Sequence, residues 1–162
     1  MRNVQSRSGE RVRLHVASDV VVVGIVKISL SDIKQGSYIG TAAMPQPDGS
    51  QKALEVHVFP EARRGTGEGF YPFDLKPNST MTNATVNDVV ADNDGKTLTV
   101  KYKGGEKNII VSSDTPVVTY EAGQRSELVV GAKIIATVAG QSDGLPQVTR
   151  VSVGRDGLTP PM

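Results

Sequence analysis

The chain has 162 residues, enough for one domain or two small ones. Its 18 Lys+Arg against 17 Asp+Glu leave a net charge of +1, so no strong field favours nucleic acid or an anionic membrane surface. Cysteine is absent, which removes disulfides, thiolate metal sites and a cysteine nucleophile together and suits an oxidising compartment.

No apolar run approaches the length of a membrane span. Met1-Arg2-Asn3-Val4 has no apolar stretch after its positive charge, so it does not read as a signal peptide. Strand signals then dominate. Val12–Val16 alternates, and Val20–Ile28 is a β-branched run. Leu30–Gln35 reads as one or two helical turns with a serine cap, ended at Gly36. Strands at Tyr38–Met44 and Ala53–Phe59 follow, joined through Asp48-Gly49. After an irregular stretch come strands at Ala84–Ala91, Thr97–Tyr102, Lys107–Ser112 and Pro116–Tyr120. A second short helical segment, Ser126–Val130, precedes Gly131. Strands at Lys133–Ala139 and Gln147–Val153 complete the chain.

The order of these signals repeats. Displaced by 95 residues, Val16–Val58 falls on Val111–Val153 without a gap, and 13 of the 43 pairs are identical, among them Asp19/Asp114, Gly36/Gly131 and Asp48/Asp143. Chance would give about three, so one supersecondary unit occurs twice. Short strands with Gly-rich turns, and one short helix between the third and fourth, predict an all-β protein of two tandem OB-like β-barrel repeats. The expected division is residues 1–60 for the first repeat, 61–83 for an inserted arm and 84–162 for the second repeat. The first repeat lacks a counterpart of Ala84–Lys96, so its opening strand is missing. A longer precursor carrying an export signal is one explanation, a naturally shorter first copy the other. The edge left behind is expected to be paired by the arm or by a second chain, and the second option implies a homo-oligomer.

The succession Thr97-Leu-Thr-Val, Ile109-Ile-Val, Ser113-Asp-Thr-Pro-Val, Leu128-Val-Val-Gly-Ala-Lys, Asp143-Gly and Val148-Thr-Arg-Val resembles the bacterial DUF5666 family of small exported OB-like β domains. The segments His57-Val-Phe-Pro-Glu61 to Thr85-Val86 and Gly154-Arg-Asp-Gly-Leu-Thr-Pro-Pro161 also resemble a group of proteobacterial exported proteins. The resemblance implies a barrel fold and a periplasmic or secreted location. It brings no activity, cofactor or catalytic residue.

Function is expected in the unmatched segment. His57, Glu61, Arg64, Glu68 and Asp74 lie within 18 residues there, and Phe59, Phe70, Tyr71 and Phe73 are four of the chain's seven aromatics. Counting alternation through Ala53–Phe59 puts Glu55, His57 and Phe59 on the non-core face. A histidine beside a carboxylate can act as an acid or base near neutral pH, and it can equally be a solvated surface group. The catalytic candidates are therefore His57, Glu61, Glu68 and Asp74. Arg64, Phe70, Tyr71 and Phe73 are the ligand-binding candidates, and all are expected to converge on one concave site. The alternative is a long arm whose aromatics cap the barrel and whose charges pair. Ser79-Thr80 could supply a hydroxyl nucleophile, but after Pro77-Asn78 a turn is the expected role.

Met44, Met81, Met162, His15 and His57 are soft or nitrogen donors without a recognisable ligand spacing, so no metal site is assigned. Nucleic-acid binding on an OB-like barrel needs aromatics across a basic groove, and this chain has no Trp and few strand aromatics. The expected function is an exported binding or scaffold protein whose contact site is the arm, for an unidentified small ligand or protein. The rivals are a small enzyme using His57 with Glu61, Glu68 or Asp74, and a periplasmic metal-handling barrel.

Overall fold

The computed structural model describes residues 2–161. These residues form an all-β protein of twelve strands with three single-turn 3-10 helices. In chain order the strands are β1 (Arg2–Gln5), β2 (Arg11–Lys27), β3 (Tyr38–Pro45), β4 (Gln51–Ala53), β5 (Val56–Val58) and β6 (Gly69–Pro72). They continue as β7 (Thr80–Asp92), β8 (Gly95–Tyr102), β9 (Gly105–Ser112), β10 (Val117–Ala122), β11 (Ile134–Ser142) and β12 (Leu145–Gly154). The predicted helical segments shrink to 3-10 turns at Leu30–Asp32 and Arg125–Glu127, and a third turn lies at Glu61–Arg63. A reciprocal Ser29–Asp32 capping box fixes the first, and a Gln124–Glu127 pair fixes its counterpart. Gly36 and Gly131 follow them with φ of 92° and 90°, matching left-handed stops at matching places in the repeat.

The chain divides into two compact units, and the division does not follow residues 1–60, 61–83 and 84–162. One unit is Val26–Tyr120. The other joins the segment up to Ile25 with Glu121–Pro160. The chain passes from one unit to the other along β2 and again along β10.

The Val26–Tyr120 unit contains a closed five-stranded barrel. β7 pairs β8, β8 pairs β9, β9 runs parallel to β4, β4 pairs β3, and β3 returns to β7 from Tyr38↔Thr85 to Ala43↔Thr80. Three sequential hairpins and a single parallel contact around a five-membered ring give the Greek-key order of an OB-like barrel. β5 pairs β3 and lies parallel to Val117–Thr119, and the arm strand β6 pairs β7. Ile39, Val56, Ala84, Val86, Leu98, Val100, Ile109 and Val111 fill the interior, each at most 1% exposed.

The other unit has four strands in the order β1-β2-β12-β11, with β12 parallel to β2 and the other two pairings antiparallel. Its core is Leu14, Val22, Val148, Val151 and Val153. Val4, Val12, Ile134 and Ala136 pack against that core but are only partly buried.

Residues 95 apart occupy equivalent registers in the two units. Lys52↔Ile110 corresponds to Gln147↔His15, Val56↔Val117 to Val151↔Val22, and Ile39↔Val58 to Ile134↔Val153. Each unit is nevertheless built from both copies. The closed barrel takes β3–β5 from the first and β7–β9 from the second; the other unit takes β1–β2 from the first and β11–β12 from the second. The arrangement is thus exchanged, not tandem. A consistent hydrophobic pattern permits either choice, since each copy offers the other the same apolar faces.

By this correspondence the place of β7 is empty beside β1 and β11, whose outer sides pair with nothing among the described residues. The arm does not fill that place. β6 adds instead to the closed barrel, Gly69↔Asn83 through Pro72↔Thr80.

Candidate functional site

The predicted strand Ala53–Phe59 is broken between β4 and β5. The amides of both Leu54 and Glu55 point at the Ala42 carbonyl, at 2.7 and 3.4 Å, which is a bulge. Val56 and Val58 keep the barrel-core face and Glu55 and His57 the opposite one, as alternation predicts. That opposite face is covered: Glu55 is wholly buried and His57 is 2% exposed, so neither is a solvated surface group. The Glu55 carboxylate accepts the Ala42 amide at 2.8 Å, and the Thr41 hydroxyl donates to the Glu55 carbonyl at 2.7 Å. A side chain thus completes the ladder where the bulge interrupts it.

The same carboxylate fixes the histidine. His57 Nδ1 donates to it, 2.9 Å from Oε2 and 3.1 Å from Oε1, so the ring turns its Nε2 toward β3. Directly across the pair stands Gly40. A Cβ there would lie 2.1 Å from Nε2 and 2.3 Å from Asn83 Oδ1, so the ring occupies space that only glycine leaves. Asn83 donates through Nδ2 to Gly67 O at 3.0 Å and Tyr71 Oη at 2.9 Å, leaving its Oδ1 buried and unpaired. Phe59 meets the imidazole edge-on at 5.0 Å between centroids, and Tyr120 lies 5.7 Å away. At the corresponding pair in the other unit stand Ile135 and Ser152. This exchange of large for small across the repeat was the signal that could have found Gly40 as the partner of His57.

The arm is fastened to the closed barrel along its length. Arg64 donates to both Glu61 oxygens at 2.7 and 2.9 Å and to the Gly36 carbonyl at 2.6 Å. This pairing holds the Glu61 carboxyl below its ordinary range. Tyr38, 2% exposed, donates to the Thr66 carbonyl at 2.9 Å. Burial, followed by the charges of Glu68 and Tyr71, pushes its phenol up to about 12. Glu68 accepts the Lys103 amide at 2.6 Å, and Lys107 sits 4.3 Å over the Phe70 ring. Ser79 closes the turn back into β7, its hydroxyl donating to Lys76 O at 2.7 Å, which is the turn role read from Pro77-Asn78.

The named candidates therefore do not meet in one concave site. His57 is sealed inside with Glu55. Glu61 and Arg64 pair with each other at the surface, Glu68 is exposed and caps Lys103, and Asp74 is exposed. Phe70 and Phe73 are half-buried and Tyr71 is 40% exposed. A shallow concavity does exist, lined by Lys52, Asp92, Asn93, Asp94, Ile110 and Ser112, none of them an arm residue. Met81 is buried and His15 half-buried, Met162 lies outside the described residues, and no three His, Asp or Glu side chains among the described residues are placed to share a metal ion. No helix is long and apolar enough to cross a membrane. A search of family models, curated proteins and solved structures finds no match for this chain.

Chemically, the Glu55–His57 pair is an internal tie between β3 and β5, and Asn83 ties β7 to the arm. The arm presents an outer surface with its backbone already ordered.

Proposed function

We propose that this is an exported binding or scaffold protein whose contact face is the arm of the closed barrel. The observation that carries the reading is the contrast along that arm. Its backbone and inner groups are tied down through Thr66, Gly67, Arg64 and Glu68, while Arg63, Thr66, Glu68 and Tyr71 remain exposed. A pre-ordered exposed segment loses little further entropy when a partner docks. Tyr71 and Arg63 are also residue types that anchor interfaces.

The enzyme reading has less support. An acid–base pair must come within about 3 Å of a substrate proton, and His57 is spent on Glu55 at 2% exposure. The resemblance to exported OB-like domains supports a periplasmic or secreted site of action.

The test is crosslinking in cells that express the native gene, comparing wild type with an Arg63→Ala/Tyr71→Ala double variant. Loss of the same crosslinked partner, with an unchanged melting temperature, is the expected result. Retention of every partner by the variant would overturn the arm as the contact face, and turnover abolished by His57→Gln would favour the enzyme.

A further inference from the structure

We infer that the four-stranded unit is an acceptor for one extended, acidic-flanked strand of a partner protein, inserted between β1 and β11. This inference uses no arm residue and stands independently of the arm as a contact face.

The closed barrel shows what belongs in that place. There β7 lies antiparallel to both neighbours, Thr80–Thr85 along β3 and Thr85–Asp92 along β8, and its inward residues Ala84 and Val86 are 0 and 1% exposed. Register identifies the matching walls in the other unit. Leu14 pairs Arg2 as Ile109 pairs Leu98, and Val12 pairs Val4 as Lys107 pairs Val100, so β1 stands where β8 stands. Ile134 and Ile135 pair Val153 and Ser152 as Ile39 and Gly40 pair Val58 and His57, so β11 stands where β3 stands. The strand between them is absent among the described residues, and the facing sides of β1 and β11 offer unpaired backbone groups. A strand that adds to such an edge gains its ladder of backbone hydrogen bonds and buries alternate side chains.

The rim is built for an apolar strand. Val4, Val12, Ile134 and Ala136 touch the core yet stay partly exposed. Val138 is 50% exposed, whereas its counterpart Ala43 is fully buried. Val129 and Val130, 61 and 104% exposed, replace the Lys34 and Gln35 of the other copy. The regular stretch of β11 ends at bulges after Thr137 and Val138, which limits pairing to about Ile134–Thr137. That length suits a short inserted strand better than open-ended stacking of sheets.

Charge selects the occupant. The β1–β2 hairpin carries Arg2, Arg7, Arg11 and Arg13 against one acid, Glu10. In the closed barrel the inserted strand carries Asp88 and Asp92 with no base, and its neighbour β8 carries Lys96 and Lys101. In the open unit the hairpin carries this excess of arginine with no acidic strand beside it among the described residues. An incoming strand with small or β-branched residues at alternate positions and acids toward one end meets both requirements.

The test uses a labelled synthetic peptide spanning Thr80–Asp92, the whole of β7, added to the full chain. Saturable binding is expected, with amides of Arg2–Gln5 and Ile134–Thr137 becoming protected from hydrogen exchange as it saturates. A peptide with Asp88→Lys and Asp92→Lys should bind about tenfold more weakly or worse, and a scrambled peptide should not bind. Val4→Asp and Ile134→Asp in the protein should abolish binding. Should either fail to fold, joining the peptide to the N-terminus through a flexible linker replaces it as the test, and the expected result is a raised melting temperature with loss of binding in trans. Absence of exchange protection at those amides under saturating peptide overturns the inference. So does concentration-dependent self-association that protects the same amides without peptide, since a second copy would then be the occupant.

Discussion

The two units share register but differ by one strand, and that strand decides how much of the same sequence pattern is buried. In the closed barrel Ile39, Ala42 and Ala43 are at most 1% exposed because β7 covers one side of β3. Their counterparts Ile134, Thr137 and Val138 are half-buried, exposed and 50% exposed on an uncovered β11. Apolar composition is similar in both; closure is not. A barrel therefore obtains its dry core from the last strand to arrive as much as from its own residues. The unit that lacks this strand among the described residues keeps a partly exposed apolar rim.

The largest expected effect lies in the closed barrel's buried tie. Glu55→Ala strands the Ala42 amide and the His57 Nδ1 proton in a site without water access, and should cost about 4 kcal/mol in urea unfolding. A cost below about 1 kcal/mol would mean the pair behaves as a surface contact. Next comes Gly40→Ile, which imposes the other unit's residue against the His57 ring and should lose about 3 kcal/mol. Adding His57→Ser, which restores the Ile135/Ser152 combination found opposite, should recover part of that loss; strict additivity of the two changes would show that the ring and the glycine are not coupled.

A matched pair of truncations sharpens the comparison directly. Val100→Ala in the closed barrel should cost about 2 kcal/mol, and its register equivalent Val4→Ala about 0.5 kcal/mol. Equal costs would remove the distinction between covered and uncovered walls.

A further effect is clearest at alkaline pH. Tyr38 releases its proton at about 12 in the folded chain and near 10.0 once unfolded, so the folded state binds the proton more tightly. Stability from this group is complete below pH 10 and is lost as pH rises toward 12. Tyr38→Phe should therefore flatten the alkaline decline of the unfolding free energy, at a cost of about 1 kcal/mol at neutral pH from the lost bond to Thr66. An identical alkaline profile in the variant would assign that decline to other groups.

Much of this architecture could be read from residues alone. Gly36 and Gly131, the Asp48-Gly49 and Asp143-Gly144 turns and the spacing of 95 are local or periodic signals, and each holds in the structure. Two predicted strands, Val12–Val16 and Val20–Ile28, form the single strand β2, whose pairing with β12 breaks register after Val16 and resumes at Val21. The exchange between copies was not readable, since pairing Ile110 with Lys52 or His15 with Gln147 satisfies the same local preferences as pairing within one copy. The burial of His57 was not readable either. Alternation put it on the face away from the barrel core, but that face is covered by Phe59, Tyr120 and Asn83, which only the tertiary pairing brings there. The arm strand β6 joins the closed barrel beside β7, but clustering in sequence did not become clustering in space. Its charges are spread along a tethered strand, each with a different neighbour.

Residue-resolved amide hydrogen exchange under native conditions tests the central contrast most directly. If the closed barrel is complete and its counterpart lacks a strand, the amides of Tyr38–Ala43 should exchange only with global opening of their unit. About half of the amides in Ile134–Val138, those directed away from β12, should exchange orders of magnitude faster. Uniformly strong protection along both β3 and β11 in the isolated monomer would contradict the account, because the outer side of β11 would then already have its partner.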